Sequence, residues 1–248
     1  MTGSFAGNAT YSTSVAPVNN GGYSGSFSGT NGDNANFGDI DALDGHTNIT
    51  ITAWVQSSTL NSGGPIGSAR IVSKRTTSDG FDLYYHDTDD ELEFVANGSL
   101  ANGGGSFAGQ QWTWIAVTYD GTNATFYTGD GTTVSAGDST ALAKGALVAN
   151  SADLLIGNYR TGERPFSGLI DNVRIYASVE DGTSLTNIMQ FDDAENGTPN
   201  PRVTLSTAAD PVDSAYTVDV TFSSDVSGLE SSDFVVTNGT ASGVSPAT

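Results

Sequence analysis

The chain has 248 residues, which is enough for one large β-domain or for one domain with a smaller second one. It has a net charge of −20, and this charge makes nucleic acids and anionic membrane surfaces poor partners because both repel it. It contains no cysteine, which excludes disulfides, thiolate zinc sites and a cysteine nucleophile. No segment approaches 18 consecutive apolar residues, so we expect no membrane insertion.

Residues 1–22 are small and polar, with strand character only around Tyr11 to Val18, and we predict that they form an N-terminal extension. The rest of the chain combines short β-branched and aromatic runs with turns rich in Gly, Asn and Asp, which is typical of an all-β fold. The first clear strand is Tyr23–Ser28, and a polar loop follows it as far as Asp39.

The segment Asn48–Val55 alternates between apolar and polar residues, as a half-buried strand does. Trp54 lies on the face opposite the apolar one, which indicates either a second packed layer or a platform for a ligand. Trp112 and Trp114 share one face of a later strand, and we expect core positions for them because large aromatic side chains are usually buried. The apolar face of the first segment consists of Ile49, Ile51, Ala53 and Val55.

Further strands follow along the chain. Asp120-Gly121 stands between two alternating apolar runs, which is a strong signal for a hairpin. A short helix is expected near Gly182–Gln190. The remaining strands are predicted at Arg70–Lys74, Gly80–His86, Glu91–Ala96, Trp112–Tyr119, Ala124–Thr128, Leu154–Gly157 and Leu169–Tyr176.

Residues 192–201 have the composition of a linker, with acids, Asn, Gly and two prolines. Beyond it, strands are predicted at Val203–Ser206, Tyr216–Phe222 and Phe234–Thr237. The stretch 202–248 is much shorter than the about 100 residues that a complete small sandwich takes. We therefore expect it to be part of a second β-domain.

Several segments, taken in order, form a recognisable set. They are Gly25–Gly29, Ile49–Val55, Trp112–Gly121, Leu155–Gly157 and Gly168–Tyr176, with Val203–Ser206, Val218–Phe222 and Asp233–Gly239 in the tail. The first five together resemble the LamG-like jelly roll of the concanavalin A-like lectin/glucanase superfamily, over residues 23–191. The tail is similar to the first half of a bacterial Ig-like domain. The resemblance implies an antiparallel jelly-roll β-sandwich followed by a partial Ig-like β-sandwich.

The same resemblance implies a bound Ca²⁺ in many members of the family. The residues of this chain that match the family's metal ligands are Asp33, Asn34 and Asp171, with backbone carbonyls near Ser28 and Gly29. Ca²⁺ takes six to eight oxygen ligands, which carboxylate, amide and carbonyl groups supply together. Asp39 is the alternative loop acid, because the usual aromatic residue does not follow Asp33. Without a metal, Asp33 is a turn former and Asp171 bonds to a neighbouring loop.

The available acids and histidines disfavour catalysis. Retaining glucanases of this fold carry acids that alternate along one strand, so that a nucleophile and a proton donor lie close together. In this chain Glu91 and Glu93 share a face, but no third acid follows, and we predict a solvated turn. The only histidines, His46 and His86, lie in no nucleophile or zinc motif. We predict a non-catalytic protein. The alternative is a lyase that uses a tyrosine or a histidine together with an arginine, drawn from Tyr84, Tyr85, His86 and the arginines.

The loop 158–165 carries the candidate ligand contacts. It contains Tyr159, Arg160 and Arg164, and therefore two of the six arginines of an acidic chain. An aromatic face beside a bidentate donor suits a sugar ring or a carboxylated glycan. The alternative is that both arginines pair with nearby acids such as Glu163. The predicted ligand-binding residues are Tyr159, Arg160, Arg164 and Tyr85.

Taken together, these observations predict a lectin-like binding module of a larger secreted or cell-surface protein of bacterial type. Its expected partner is a polysaccharide or a surface glycoprotein, with Ca²⁺ as cofactor. The first ten residues show no signal peptide, so we expect an export signal outside this chain or one that has been removed. The alternative is a structural or adhesive subunit of an extracellular fibre. In that case the incomplete Ig-like half would self-associate by accepting a strand, such as residues 8–18, from another chain.

Overall fold

The computed structural model describes residues 3–18, 22–58, 68–86, 91–104, 110–190, 203–207 and 218–222. Residues 1–190 and 191–248 form two separate compact units. The first unit is a sandwich of two seven-stranded antiparallel sheets, so the predicted all-β jelly-roll architecture is confirmed.

The first sheet has an outer face that is partly polar. The sequence predicted a loop from Gly29 to Asp39, but the second half of that stretch is a strand. Ala35 and Phe37 pack against the core, while Asn34 and Asn36 alternate with them on the outer face. Across this sheet the strands are β1 (Ser4–Ala6), β4 (Asn34–Asp39), β13 (Asp153–Ile156), β6 (Ala69–Arg75), β7 (Gly80–His86), β8 (Glu91–Ala96) and β9 (Ser99–Gly103).

The second sheet contains the long central strand that the alternating pattern predicted. Trp54 on this strand is the register partner of Trp114 on its neighbour. A short 3-10 helix at Asp41–Leu43 precedes the central strand. Across this sheet the strands are β12 (Val134–Ala141), β11 (Asn123–Gly129), β10 (Thr113–Tyr119), β5 (Ile49–Ser57), β14 (Ser167–Tyr176), β3 (Ser24–Ser28) and β2 (Thr10–Ser12).

One hydrophobic core fills the space between the sheets. The predicted apolar face of β5 is fully part of it, since Ile49, Ile51, Ala53 and Val55 are all buried there. The facing strands contribute Phe81, Leu83, Leu92 and Phe94. Side chains at alternate positions therefore point inward on both sheets, which leaves the outer faces for other contacts.

A second, smaller core covers the outer face of the second sheet. Trp54 and Trp114 are buried there against helix α1 (Gly182–Gln190), which contributes Leu185 and Met189. The Trp54 indole Nε1 donates a hydrogen bond to the backbone carbonyl of Met189 at 3.4 Å. The predicted helix is confirmed, and Trp54 belongs to a second packed layer and not to a ligand platform.

The N-terminal segment is part of the sandwich, which corrects its prediction as an extension. Strand β1 pairs with β4 in the first sheet, and β2 pairs with β3 in the second. Ala16 is buried in the second core. Residues 10–12 therefore already pair within their own chain, and this does not favour residues 8–18 as a strand donated to a partner.

The second unit is described only in part. Strands β15 (Val203–Thr207) and β16 (Val218–Phe222) form an antiparallel pair at two of the three predicted places. The third predicted strand, Phe234–Thr237, and the linker 192–201 lie outside the described residues. The Ig-like character of this unit stays a prediction.

Candidate functional site

A polar cleft of about 560 Å³ lies on the outer face of the first sheet. Its floor is formed by β4 and β13, because Asn34, Asn36 and Asp153 alternate with residues that point into the core. The β6–β7 turn and the loop after β13 form its walls. We call it the polar cleft, and its lining consists of Asn34, Asn36, Thr76, Thr77, Ser151, Ala152, Asp153, Leu155, Tyr159, Arg160, Thr161 and Gly162.

Asn158 holds the loop that forms one wall of the polar cleft. Its side chain is completely buried, and its Oδ1 accepts hydrogen bonds from the backbone N–H groups of Tyr159 and Arg164 at 2.7 and 3.0 Å. Its Nδ2 donates to the carbonyls of Asp33 and Gly162 at 2.8 and 3.2 Å. One amide therefore satisfies four backbone groups, which fixes the loop at a defined position.

A tight turn shapes the tip of this loop. Gly162 has a φ of +75°, a conformation that glycine adopts without steric cost. Its N–H donates to the Tyr159 carbonyl at 2.7 Å, and its own carbonyl accepts from Gly32 at 2.8 Å. The loop is thereby bonded to the turn that follows β3, and Tyr159 and Arg160 face the polar cleft.

Three guanidinium groups surround the ring of Tyr159. The Cζ atoms of Arg70, Arg75 and Arg160 lie 5.3, 5.8 and 5.1 Å from its centroid. Each distance falls within the roughly 6 Å at which a cation is attracted to an aromatic face. Half of the six arginines of the chain are therefore gathered at one edge of the polar cleft.

Two of these arginines share one buried acid. Asp82 is fully buried and lies 3.3 Å from Arg70 Nε and 2.9 Å from Arg75 Nη1. The Ser73 hydroxyl also donates to Asp82. This network compensates the carboxylate, which would be very costly to bury alone.

Arg160 contacts hydroxyl groups instead of acids. Its Nε donates to the Tyr159 phenol oxygen, and its Nη2 donates to Thr77 Oγ1, each at 3.0 Å. The predicted alternative was an ion pair between Glu163 and the two arginines of the loop. Among the described residues, neither Arg160 nor Arg164 lies within ion-pair distance of a carboxylate.

Glu93 is buried, which corrects its prediction as part of a solvated turn. It is only 4% exposed, and Tyr84 is its register partner on the neighbouring strand. Burial, followed by the hydrogen bond to Glu93, raises the pKa of the Tyr84 phenol well above its ordinary value. The guanidinium of Arg70 lies 3.7 Å from the centre of the Tyr84 ring. These groups form a closed network beneath the Tyr159 loop.

Two of the four predicted ligand residues line the polar cleft, and the other two do not. Tyr159 and Arg160 both line the polar cleft. Arg164 does not line it and acts through its backbone, which accepts a hydrogen bond from Arg70 N–H at 3.2 Å. Tyr85 is 2% exposed and packs in the main core, so its prediction as a ligand contact was wrong. Adjacent strand residues face opposite sides, and Tyr84 holds the outer position.

Asp33 stabilises the turn after β3 through hydrogen bonds to its carboxylate. It is fully buried, and its carboxylate accepts hydrogen bonds from the N–H groups of Asn8, Ser28 and Thr30 at 2.6, 2.9 and 3.4 Å. Burial raises the pKa of Asp33, but the hydrogen bonds from Ser28, Asn8 and Thr30 together outweigh it and hold the pKa below its ordinary value. This arrangement matches the expectation of a turn former.

The three predicted calcium ligands do not gather around one point. Asp33 accepts a hydrogen bond from Ser28, and Ser28 is the register partner of Ser167 on β14. Asp171 lies four residues beyond Ser167 on the same strand, and four residues of strand span about 14 Å. Asp171 accepts a hydrogen bond from Ala16 N–H at 2.9 Å. Asn34 Oδ1 is buried without a hydrogen-bond partner in the described part of the chain. One such oxygen is far short of the six that Ca²⁺ requires, so this residue set does not fit the ion.

Another acidic group lies at the end of β4, where Asp39 was the alternative metal residue. Carboxylate oxygens of Asp39, Asp41 and Asp44 lie within 4.8 Å of one another. The fully buried Lys74 places its Nζ 2.9 Å from Asp39 and 3.1 Å from Asp44. The same ammonium donates to the Asn150 carbonyl at 3.0 Å. The Lys74 ammonium therefore offsets one of the three negative charges of this group, through its ion pairs with Asp39 and Asp44.

The first unit is a jelly-roll β-sandwich, and the outer face of its first sheet carries the polar cleft. The chain belongs to the concanavalin A-like lectin/glucanases superfamily, whose family model matches residues 28–181. This confirms the resemblance drawn from the sequence motifs. A comparison with curated proteins gives no match. The described residues include no helix with the length and apolar character that a membrane crossing requires.

Similar solved structures share the fold at low sequence identity. Domain 4 of AbnA, an extracellular arabinanase from Geobacillus stearothermophilus in complex with arabinotriose, is 17% identical with a TM-score of 0.55, over 74% of this chain and 82% of that one. The botulinum neurotoxin serotype G binding domain is 12% identical with a TM-score of 0.58, over 76% of this chain and 46% of that one. A structure from work on the cell entry of botulinum neurotoxin type C and its interaction with two ganglioside molecules is 14% identical with a TM-score of 0.54, over 77% of this chain and 47% of that one.

Sequence reasoning missed most of the residues that build the polar cleft. Asn158, which positions the loop, stands directly after a strand and before the predicted ligand residues, and that position was the one available signal. Asn36 and Asp153 come together only through the pairing of β4 with β13, and their side chains are bonded at 2.8 Å. Thr77 reaches Arg160 across 83 positions of sequence.

Proposed function

We propose that the first unit is a non-catalytic carbohydrate-binding module that holds its glycan in the polar cleft. One observation supports this proposal above all. Tyr159 and Arg160 line the same open cleft as several side chains that carry hydroxyl, amide and carboxylate groups. A sugar ring needs an apolar face to stack on and polar groups around its edge. The aromatic ring supplies the first, and the side chains of β4, β13 and the β6–β7 turn supply the second.

The similar structures support the same class of ligand. They include an arabinanase domain in complex with arabinotriose and a structure of a neurotoxin whose cell entry depends on interaction with two ganglioside molecules. They are mostly binding domains, and this favours binding over catalysis here. The buried acids Asp82 and Glu93 agree with that interpretation, because one is compensated by two arginines and the other is bonded to Tyr84.

A glycan ligand implies a place for the module outside the cell or on its surface, as part of a larger protein. The acidic surface suits such a place, since a net charge of −20 keeps the chain soluble and away from anionic membranes. Calcium stays a prediction for this chain. The proposed glycan contacts do not depend on it, because every one of them is a protein side chain.

A glycan array with two matched variants tests the proposal. Tyr159→Ala removes the aromatic face of the polar cleft, and Tyr11→Ala removes a tyrosine that is 68% exposed on β2. We expect the wild type and Tyr11→Ala to bind the same glycans, and Tyr159→Ala to lose at least about tenfold in affinity, as loss of a stacking anchor does. Equal binding by all three proteins, or loss only in Tyr11→Ala, would place the ligand elsewhere and contradict the proposal.

A further inference from the structure

Arg160 makes no ion pair with any acid in the part of the chain that the structure describes, although the chain is strongly acidic. The other two arginines around Tyr159 share Asp82, and Lys74 lies between Asp39 and Asp44. Among the described residues, no carboxylate lies within 4.0 Å of the Arg160 guanidinium, which is exposed at the edge of the polar cleft. Arg160 therefore brings a positive charge to the candidate site that no described carboxylate offsets.

The two hydroxyl groups that hold Arg160 add further donors. The Tyr159 phenol and the Thr77 hydroxyl each accept a hydrogen bond from the guanidinium at 3.0 Å. A hydroxyl that accepts from a cation keeps its own hydrogen for another partner. The guanidinium and these two O–H groups therefore form a cluster of donors, and an oxyanion is the ligand that satisfies such a cluster best.

The acids near this cluster are already engaged or solvated. Asp153 is exposed and accepts a hydrogen bond from Asn36 Nδ2 at 2.8 Å. Glu163 is exposed and accepts from the Thr161 hydroxyl at 3.3 Å. Neither carboxylate reaches Arg160, so the positive charge stays available to a ligand.

We infer that the polar cleft selects glycans that carry a carboxylate, such as uronic or sialic acids, and that Arg160 binds that group. This inference rests on the proposed function and names the chemical class of its ligand. A planar carboxylate matches the guanidinium fork in shape, and a hydrogen bond between two charged groups is about twice as strong as a neutral one. Tyr159 then stacks on the ring that bears the carboxylate.

The experiment compares matched pairs of glycans on one array. Polygalacturonate is set against its methyl ester, and sialylated oligosaccharides are set against the same oligosaccharides without sialic acid. The proteins are the wild type, Arg160→Gln and Arg164→Gln. The last variant removes the same charge from the same loop at a residue that does not line the polar cleft.

We expect the wild type to bind the carboxylated member of at least one pair. Arg160→Gln should lose about tenfold or more on that member, as loss of a charged hydrogen bond does, and Arg164→Gln should stay within about twofold. Because the Arg160 side chain is exposed, the melting temperature of Arg160→Gln should match that of the wild type. Equal binding to both members of every pair, a preference for sulfated glycans alone, or an unchanged Arg160→Gln would overturn the inference.

The two failures are distinguishable. If neutral glycans bind and Tyr159→Ala abolishes their binding, the proposed function holds and the inference about the carboxylate is wrong. If no glycan on the array binds, or Tyr159→Ala has no effect, the proposed function fails together with the inference.

Discussion

Asn158 Nδ2 donates a hydrogen bond to the backbone carbonyl of Asp33 across 2.8 Å and 125 positions of sequence. This contact joins the loop that was predicted to bind a ligand to the loop that was predicted to bind a metal. The two loops are parts of one structure. Asp33 clasps the turn after β3, and Asn158 fixes the Tyr159 loop upon it, so the wall of the polar cleft is held by two buried polar side chains.

Replacing Asn158 with Ala should destabilise the module and weaken glycan binding together. The change leaves the N–H groups of Tyr159 and Arg164 without their acceptor, and we expect the free energy of unfolding to fall by about 3 kcal/mol. Urea denaturation measures the first effect and the glycan array the second. Thr161→Ala, an exposed change in the same loop, should alter stability by less than about 0.5 kcal/mol. Equal stability of the two variants would show that Asn158 does not hold the loop.

Asp33→Asn should cost about 2 kcal/mol, because the amide N–H₂ that replaces one carboxylate oxygen cannot accept the hydrogen bonds that this oxygen accepted. The loss should be the same with and without a calcium chelator, since the carboxylate is occupied by hydrogen bonds from the protein. Thermal melts of both proteins in EDTA and in Ca²⁺ check this. A loss that appears only in Ca²⁺ would assign Asp33 to a metal site after all.

The contribution of Asp33 should also depend on pH in a defined direction. Its pKa lies below the ordinary value of 3.8, because hydrogen bonds from Ser28, Asn8 and Thr30 outweigh the effect of burial. The stabilisation is therefore fully present above pH 3.8 and is lost as the pH falls through the lowered pKa. The difference in unfolding free energy between wild type and Asp33→Asn should be constant from about pH 5 to 7. It should shrink at lower pH, as the carboxylate of the folded protein becomes protonated. A difference that grows on acidification would contradict this account.

We expect Asp44 to contribute more to stability than Asp41, because Asp44 is the one of the two that pairs with the Lys74 ammonium in the described structure. Asp44→Asn removes a carboxylate 3.1 Å from a fully buried ammonium, and we expect a loss of about 2 kcal/mol, because Asp39 remains as a partner. Asp39→Asn combined with Asp44→Asn should cost about 3–5 kcal/mol, as breaking a buried ion pair does. Asp41→Asn is the matched control, since its carboxylate is exposed and makes no ion pair with Lys74 in the described structure, and it should be close to neutral. Denaturant unfolding at pH 7 compares the four proteins, and equal losses for Asp41 and Asp44 would argue against a central role for the ammonium.

Met189→Ala should loosen the layer over the second sheet. Met189 is fully buried beside Trp54 and Trp114, and truncation of a buried methionine costs about 2–5 kcal/mol. Tryptophan emission should shift to longer wavelength as the indoles gain contact with water. Thr183→Ala, an exposed change on the same helix, should leave both the emission and the stability unchanged. An unshifted spectrum in Met189→Ala would show that α1 is not needed to cover the tryptophans.

Much of the sandwich could be predicted because its central strands alternate cleanly. The residues Ile49 to Val55 show period two in the sequence, and the structure buries that apolar face in the main core. Strand β4 was missed because its outward residues are Asn34 and Asn36, which are typical of turns. The short strands β1 and β2 were missed for a similar reason, since three residues are too few to show a period.

The polar cleft could be predicted only in part. Tyr159 and Arg160 stand out by composition, because arginine is rare in this chain. The other lining residues come from β4, β13 and the β6–β7 turn, and only strand pairing brings them to one place. Tyr84 and Tyr85 show a second limit: both fit a strand, and a shift of one position in the alternation decides which of them faces the core.

The measurement that tests the central claim most directly is a titration of the ¹⁵N-labelled module with a glycan selected on the array. Backbone amide resonances in the two walls of the polar cleft, Thr76–Thr77 and Tyr159–Gly162, should shift with the largest amplitudes, and Asn36 and Asp153 on its floor should shift with them. Amides of α1 and of the β10–β11 hairpin should stay in place. Shifts centred on another surface, such as the exposed tyrosines Tyr11 and Tyr23, would contradict the account.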